Sequence, residues 1–214
     1  MNNEVETGAN HQLREWLGWT LATAGGWVLG SLVTYAISIG LNMTNFGAAL
    51  QADPAQISQS TALLLMALSL VSLLIVGVII GALQWLVLRR HVPGIQRWAI
   101  FTGLGFALGA FAFWALIGVG VGVLQWLLLR RDLNKTMWWL VVNAVAWPLG
   151  YVLGGVGGTA LGVALGSEFL GGLVGSILIG TLIGAITGAV LWWLLRENRV
   201  LLDGLRQEVE AAKP

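Results

Sequence analysis

With 57% hydrophobic and only 10% charged residues in 214, the chain has too little polar surface for an aqueous fold, since soluble domains carry about 25% charged residues. Its mean hydropathy is +0.82. A net charge of +1 argues against a nucleic-acid partner, and the absence of cysteine excludes disulfides, thiol catalysis and thiolate metal sites.

Residues 1–15 are polar, with Glu4, Glu6, Arg14 and Glu15 and no short apolar core. They read as a cytoplasmic N-terminal segment rather than a signal peptide. The apolar stretches 16–41 and 61–88 both exceed the ~20 residues that a spanning helix needs. Between them lies a polar insert, 42–60, containing Asn42, Asn45, Asp53 and Pro54. Asn42-Met43-Thr44 matches a glycosylation acceptor, a tripeptide frequent by chance.

The first pair of spans closes on Gly77-x-x-x-Gly81-x-x-Gln84-Trp85-x-x-x-Arg89-Arg90. The same pattern returns 41 positions on as Gly118-x-x-x-Gly122-x-x-Gln125-Trp126-x-x-x-Arg130-Arg131. A degenerate third copy reads Gly184-x-x-x-Gly188-x-x-Leu191-Trp192-x-x-x-Arg196. Each unit also has a recognisable start. Trp19, Trp98 and Trp139 stand eleven residues before Gly30, Gly109 and Gly150, with Trp27, Phe106 and Trp147 between. Self-similarity of this kind marks one supersecondary element reused, here over 19–90, 98–131 and 139–196 within a membrane domain of 16–196. The repeat resembles a group of uncharacterised bacterial multi-pass membrane proteins built from ~40-residue units ending in Gln-Trp-Leu-x-Leu-Arg-Arg. The matching residues are Gln84–Arg90 and Gln125–Arg131; Leu191 and Glu197 depart from the pattern. The resemblance implies a membrane location and carries over no functional residue.

Units one and three read as helical hairpins turning at 42–60 and near Gly166–Phe169. Unit two is ambiguous: one helix from Trp98 to Leu129 would reach ~48 Å, two helices split near 113–115 only ~24 Å each. Charge favours two. With six spans, all eleven Lys and Arg residues fall on one side, whereas five spans divide them four and seven. The positive-inside rule then puts both termini in the cytoplasm and the protein in the cytoplasmic (inner) membrane. The predicted fold is an all-α integral membrane protein of three repeated hairpins, six spans, packed as a glycine zipper.

The glycines carry that packing. Gly77, Gly81, Gly118 and Gly122 belong to the repeat; Gly150, Gly154, Gly158, Gly162 and Gly166 recur every fourth position on the fifth helix. Gly172, Ser176, Gly180, Gly184 and Gly188 do so on the sixth. Such spacing keeps small residues on one helical face, and the two stripes are expected to pack against each other. Trp16, Trp19, Trp85, Trp98, Trp126, Trp138, Trp139, Trp192 and Trp193 are expected in an interfacial belt, with Trp114 opposite. Gln84 and Gln125, one turn before the terminal Arg, are expected to hydrogen-bond across helices.

Arg89, Arg90, Arg130, Arg131 and Arg196, with Trp85, Trp126 and Trp192, are topological anchors and the candidate contacts for lipid headgroups. No ionisable residue lies deep in a predicted span, which counts against ion-coupled transport. His11 and His91 read as solvated surface residues without metal-spaced partners. No catalytic, cofactor or metal constellation emerges. The tail 197–214 places Leu201, Leu205 and Val209 on one stripe of a cytoplasmic amphipathic helix. The expected function is non-enzymatic: a structural, assembly or accessory subunit whose partners are membrane lipids and further copies or subunits of a larger complex. The alternative is a passive channel or facilitator for a small neutral solute, lined by groups such as Asn143, Thr181 and Thr187.

Overall fold

The computed structural model describes residues 2–42, 57–113 and 116–211. Helix accounts for 88% of the described residues, and no strand occurs among them. The elements are α1 (Asn2–Asn42), α2 (Gln59–Leu88), α3 (Trp98–Ala112), α4 (Ile117–Leu129), α5 (Met137–Leu165), α6 (Glu168–Glu197) and α7 (Arg199–Ala211). Four are long and apolar enough to cross a membrane: Gln12–Asn42 within α1, with 31 residues, and α2, α5 and α6, with 30, 29 and 30. α3 and α4 have 15 and 13 residues, or ~22 and ~20 Å of rise. Trp114, Met43 and Thr44 lie outside the described residues.

Local chemistry sets the ends. Ser58 and Ser167 accept the Thr61 and Leu170 backbone N–H groups at 3.2 and 3.3 Å, capping α2 and α6. α5 stops in a Schellman turn. Gly166 has φ +60°, Ser167 N donates to Gly162 O at 3.0 Å, and Gly166 N donates to Val163 O at 3.2 Å. The turns α2–α3 and α4–α5 match position by position. Val92 and Leu133 N–H groups return to Leu88 and Leu129 carbonyls at 3.0 and 2.9 Å. Gly94 and Lys135 both take positive φ, +77° and +60°.

Each helix from α1 to α6 packs on its neighbours in sequence, and α6 returns to α1, closing a ring. Glycine sets the spacing of every seam. Between hairpins, a Cβ on Gly77 would lie 2.8 Å from the Gly103 Cα of α3, and one on Gly81 2.8 Å from the Ala99 Cα. On the α4–α5 seam, Gly118 would meet the Asn143 carbonyl at 2.5 Å and Gly122 the Asn143 Cβ at 2.9 Å. On the α6–α1 seam, Gly180 would meet the Ala24 Cα at 2.6 Å, Gly184 the Thr20 Cα at 2.9 Å and Gly188 the Trp19 ring at 2.9 Å. These approaches leave no room for a side chain, so backbones come close enough for dispersion and Cα–H contacts.

The expected pairing of the two long stripes needs correction. Gly150 and Gly154 meet Ile183 and Ile179 of α6, and Gly158 and Gly162 meet Gly175 and Gly171. The stripe of Ser176, Gly180, Gly184 and Gly188 turns instead to α1, where the Ser176 and Ser31 hydroxyls are 2.6 Å apart. A one-residue offset rotates a side chain by ~100°, so α6 presents two faces to two neighbours. In the tail the side chains of Leu205 and Val209, predicted on one stripe with Leu201, lie outside the described residues. Leu202 is buried beneath α7 while Leu201 is 47% exposed.

A Gly158→Leu change places its Cβ 2.6 Å from the Gly175 Cα, whereas a Cβ on Gly155 meets nothing within 4 Å. Gly158→Leu is expected to cost about 2 kcal/mol or more, by forcing α5 and α6 apart. Gly155→Ala is expected to leave stability unchanged or raise it by less than about 1 kcal/mol. Reversible unfolding in mixed detergent micelles measures both.

Candidate functional site

Trp19 of α1, Trp98 of α3 and Trp139 of α5 meet inside the ring. Their centroids are 6.1, 5.9 and 5.9 Å apart, and each side chain is 0% exposed. They therefore depart from the interfacial belt expected of them, for a reason of rotation rather than depth: their helices turn these positions inward. Trp138 and Trp193 are 57% and 40% exposed and face outward beside them.

Burying three indoles requires three acceptors. Trp98 Nε1 donates to Gln84 Oε1 at 3.2 Å, and Trp139 Nε1 to Gln125 Oε1 at 3.1 Å. Trp19 Nε1 donates to Thr187 Oγ1 at 3.1 Å. Each acceptor lies on the helix across a seam between hairpins: α2 to α3, α4 to α5, α6 to α1. The amide nitrogens are used as well. Gln84 Nε2 donates to Thr23 Oγ1 at 3.1 Å, and Gln125 Nε2 to Thr102 Oγ1 at 2.8 Å. Thr23 and Thr102 in turn donate to the Trp19 and Trp98 carbonyls at 2.9 and 2.8 Å.

The third copy solves the same problem differently. Leu191 occupies the position of Gln84 and Gln125 and is 0% exposed. Thr187, one turn earlier, stands where the other copies have Ile80 and Val121. Polar and apolar residues have exchanged places along one helical face, and the Trp19 indole still finds an oxygen. Thr187, expected on the wall of a conduit, serves instead as the acceptor of the Trp19 indole. Its signal was the hydroxyl one turn before the missing Gln.

Two helical turns along, ~12 Å away, a second aromatic layer fills the ring. Trp27, Phe106 and Trp147 lie 5.8, 5.8 and 5.4 Å apart, and Tyr151 stands edge-on to Trp27 at 5.2 Å. Asn143 Oδ1 accepts the Trp147 indole at 2.9 Å, while its Nδ2 donates to the Trp139 carbonyl at 2.8 Å. Trp27 Nε1 is buried without a hydrogen-bond partner. Above this layer a cavity of 370 Å³ opens between α1, α2, α3 and α5, with Ser31, Thr34, Tyr35 and Ser38 on its wall. Of the hydroxyl and amide groups expected to line a conduit, Asn143 and Thr187 are consumed by these bonds, and Thr181 is exposed.

The basic end holds the remaining predicted residues. Arg89 and Arg130 lie over the rings of Trp85 and Trp126 at 4.8 and 4.7 Å, cation–π contacts one helical turn long. Arg90, Arg131 and Arg196 are exposed, and Trp85, Trp126 and Trp192 are half-buried. His91 is not simply solvated: its Nε2 is 3.0 Å from Glu15 Oε2 and its ring stands edge-on to Trp192 at 4.8 Å. Lys135 pairs with Glu197, and Asn198 clasps the α4–α5 turn by accepting Asn134 N at 2.7 Å. No group of three metal-ligating side chains occurs among the described residues. Around the Trp19–Trp98–Trp139 layer the polar groups are therefore arranged to satisfy one another.

Comparison with protein-family models, with curated proteins and with solved structures finds no match.

Replacing Gln84 by Leu, as in the third copy, strips the Trp98 indole of its acceptor and is expected to cost about 1–2 kcal/mol. Adding Ile80→Thr supplies an oxygen one turn earlier, as Thr187 does for Trp19. The double variant is expected to recover at least half of that loss in the same unfolding assay. Simple additivity of two destabilising changes would refute this account of the core.

Proposed function

We propose that this is a non-enzymatic membrane protein, a structural or assembly component that crosses the cytoplasmic membrane six times as three repeated, glycine-packed hairpins. One observation carries the reading: two aromatic layers, Trp19–Trp98–Trp139 and Trp27–Phe106–Trp147, occupy the space that a conduit between the hairpins would need. The equivalent positions of Trp19, Trp98 and Trp139, and the matched turns at Gly94 and Lys135, support three copies of one unit. The short α3–α4 pair supports a thinner second hairpin, at a modest cost in bilayer deformation. Among the described residues Arg89, Arg90, Arg97, Arg130, Arg131, Lys135, Arg196 and Arg199 lie at or beyond the helix ends that the positive-inside rule assigns to the cytoplasm, which supports cytoplasmic termini. What remains for interaction is the lateral surface, rich in exposed Leu, Val and Ile, which serves lipid, further copies or the helices of a larger complex.

Proteoliposomes are expected to release water- and glycerol-sized solutes no faster than protein-free vesicles in stopped-flow light scattering. Saturable, protein-dependent flux would instead support a facilitator. A reporter enzyme fused to the C-terminus is expected to read cytoplasmic, and native mass spectrometry from mild detergent to show a homo- or hetero-oligomer. An external reading defeats the six-span topology, and a bare monomer defeats the assembly role.

A further inference from the structure

A cavity of 250 Å³ lies at the basic end where α1, the α2–α3 turn, α6 and α7 come together. Arg196 reaches it from the last turn of α6 and Arg199 from the first turn of α7. The ion pairs among the described residues here are His91–Glu15 and Lys135–Glu197, and neither arginine belongs to one. Trp192, Leu195 and Leu202 add apolar lining, and His91, 3.0 Å from Glu15, lines the cavity as well. Gln12 adds an amide, and Asp203, which has an interaction of its own, adds a carboxylate.

We infer that this cavity binds a phosphate group, and that in the membrane this group is the headgroup phosphate of an anionic lipid. The chemistry follows from the lining. Two guanidinium forks from successive helices match the oxygens of a phosphate better than those of a smaller or uncharged group. Trp192, Leu195 and Leu202 give the glycerol and the upper acyl carbons an apolar surface beside the charge. Asp203 and Gln12 suit a headgroup that also carries hydroxyl donors, as phosphoglycerol does. The inference rests on the reading that the basic end lies at a membrane surface, where anionic lipid is abundant. It goes further by locating the contact in one cavity. Arg89 and Arg130, already stacked on their own tryptophans, are not part of it. A phosphate held there would tie α6 to α7 and steady the junction at Asn198.

The test uses the full chain in nanodiscs of mixed phosphatidylglycerol and phosphatidylcholine, with retained lipid read by native mass spectrometry. The wild-type protein is expected to keep phosphatidylglycerol in preference to phosphatidylcholine. The double variant Arg196→Gln, Arg199→Gln is expected to lose that retention roughly tenfold or more. Arg97→Gln, an exposed arginine on the same end outside the cavity, serves as the control and is expected to retain the lipid. A second arm titrates delipidated protein in detergent with inorganic phosphate and glycerol phosphate and follows thermal unfolding. Stabilisation by these anions, lost in the double variant and without lipid retention, assigns the site to a soluble phosphate. Equal phosphatidylglycerol retention in the wild type and double variant, with no response to phosphate, overturns the inference. Failure of the protein to enter nanodiscs is a separate result and counts against the membrane reading itself.

Discussion

The indole N–H is the constraint on which the rest depends. In an interior without water, each buried donor needs an acceptor, and leaving one orphaned costs more than an ordinary hydrogen bond contributes. Three such donors converge in this ring, from α1, α3 and α5. Their acceptors come from α6, α2 and α4, always across the seam between hairpins. The bonds therefore specify which helix stands beside which. Apolar packing alone cannot do this among helices whose lipid-facing surfaces look alike.

Glycine makes those bonds geometrically accessible. Gly77 and Gly81, Gly118 and Gly122, and Gly184 and Gly188 lie on the same seams as the three acceptors, within two turns of them. Backbones that approach this closely carry the amide of Gln84 or Gln125, or the hydroxyl of Thr187, to an indole on the neighbouring helix. Bulky residues at the glycines would strand the donors as well as separate the helices. Packing and polar satisfaction are thus coupled, and a defect in one propagates to the other.

Much of this was legible in the sequence, and the rest was hidden by rotation rather than by composition. Helix length and apolarity identify α1, α2, α5 and α6 directly, while α3 and α4 are short enough that only charge asymmetry argues for two spans. The spacing from Gln84 to Trp98 equals that from Gln125 to Trp139, 14 residues in each case, so a repeated contact was visible in principle. Depth along a helix does not reveal which way a side chain faces. Trp138 and Trp139 are adjacent, yet one is 57% and the other 0% exposed. The same ambiguity led the α6 stripe of Gly180 and Gly184 to be matched with α5, although α6 uses Gly171 and Gly175 for that contact and the stripe for α1. Beside Gln84 and Gln125, Leu191 reads as decay of the repeat. Compared together with Thr187, it is an exchange of two residues along one face.

The ring closes between its first and last helices, and the Trp19–Thr187 bond spans 168 residues of sequence. During synthesis α1 emerges before α6, the helix that covers this face of it. Until α6 arrives, the Trp19 indole lacks its oxygen, and Thr20 and Ala24 lack the glycine face that covers them. The two earlier seams, α2–α3 and α4–α5, join helices separated by short turns and can form as the chain emerges. Assembly is consequently ordered by topology: two local seams form early, and one long-range seam completes the ring. Loop-closure entropy is greatest for that last seam, whose Trp19–Thr187 contact joins residues 168 positions apart.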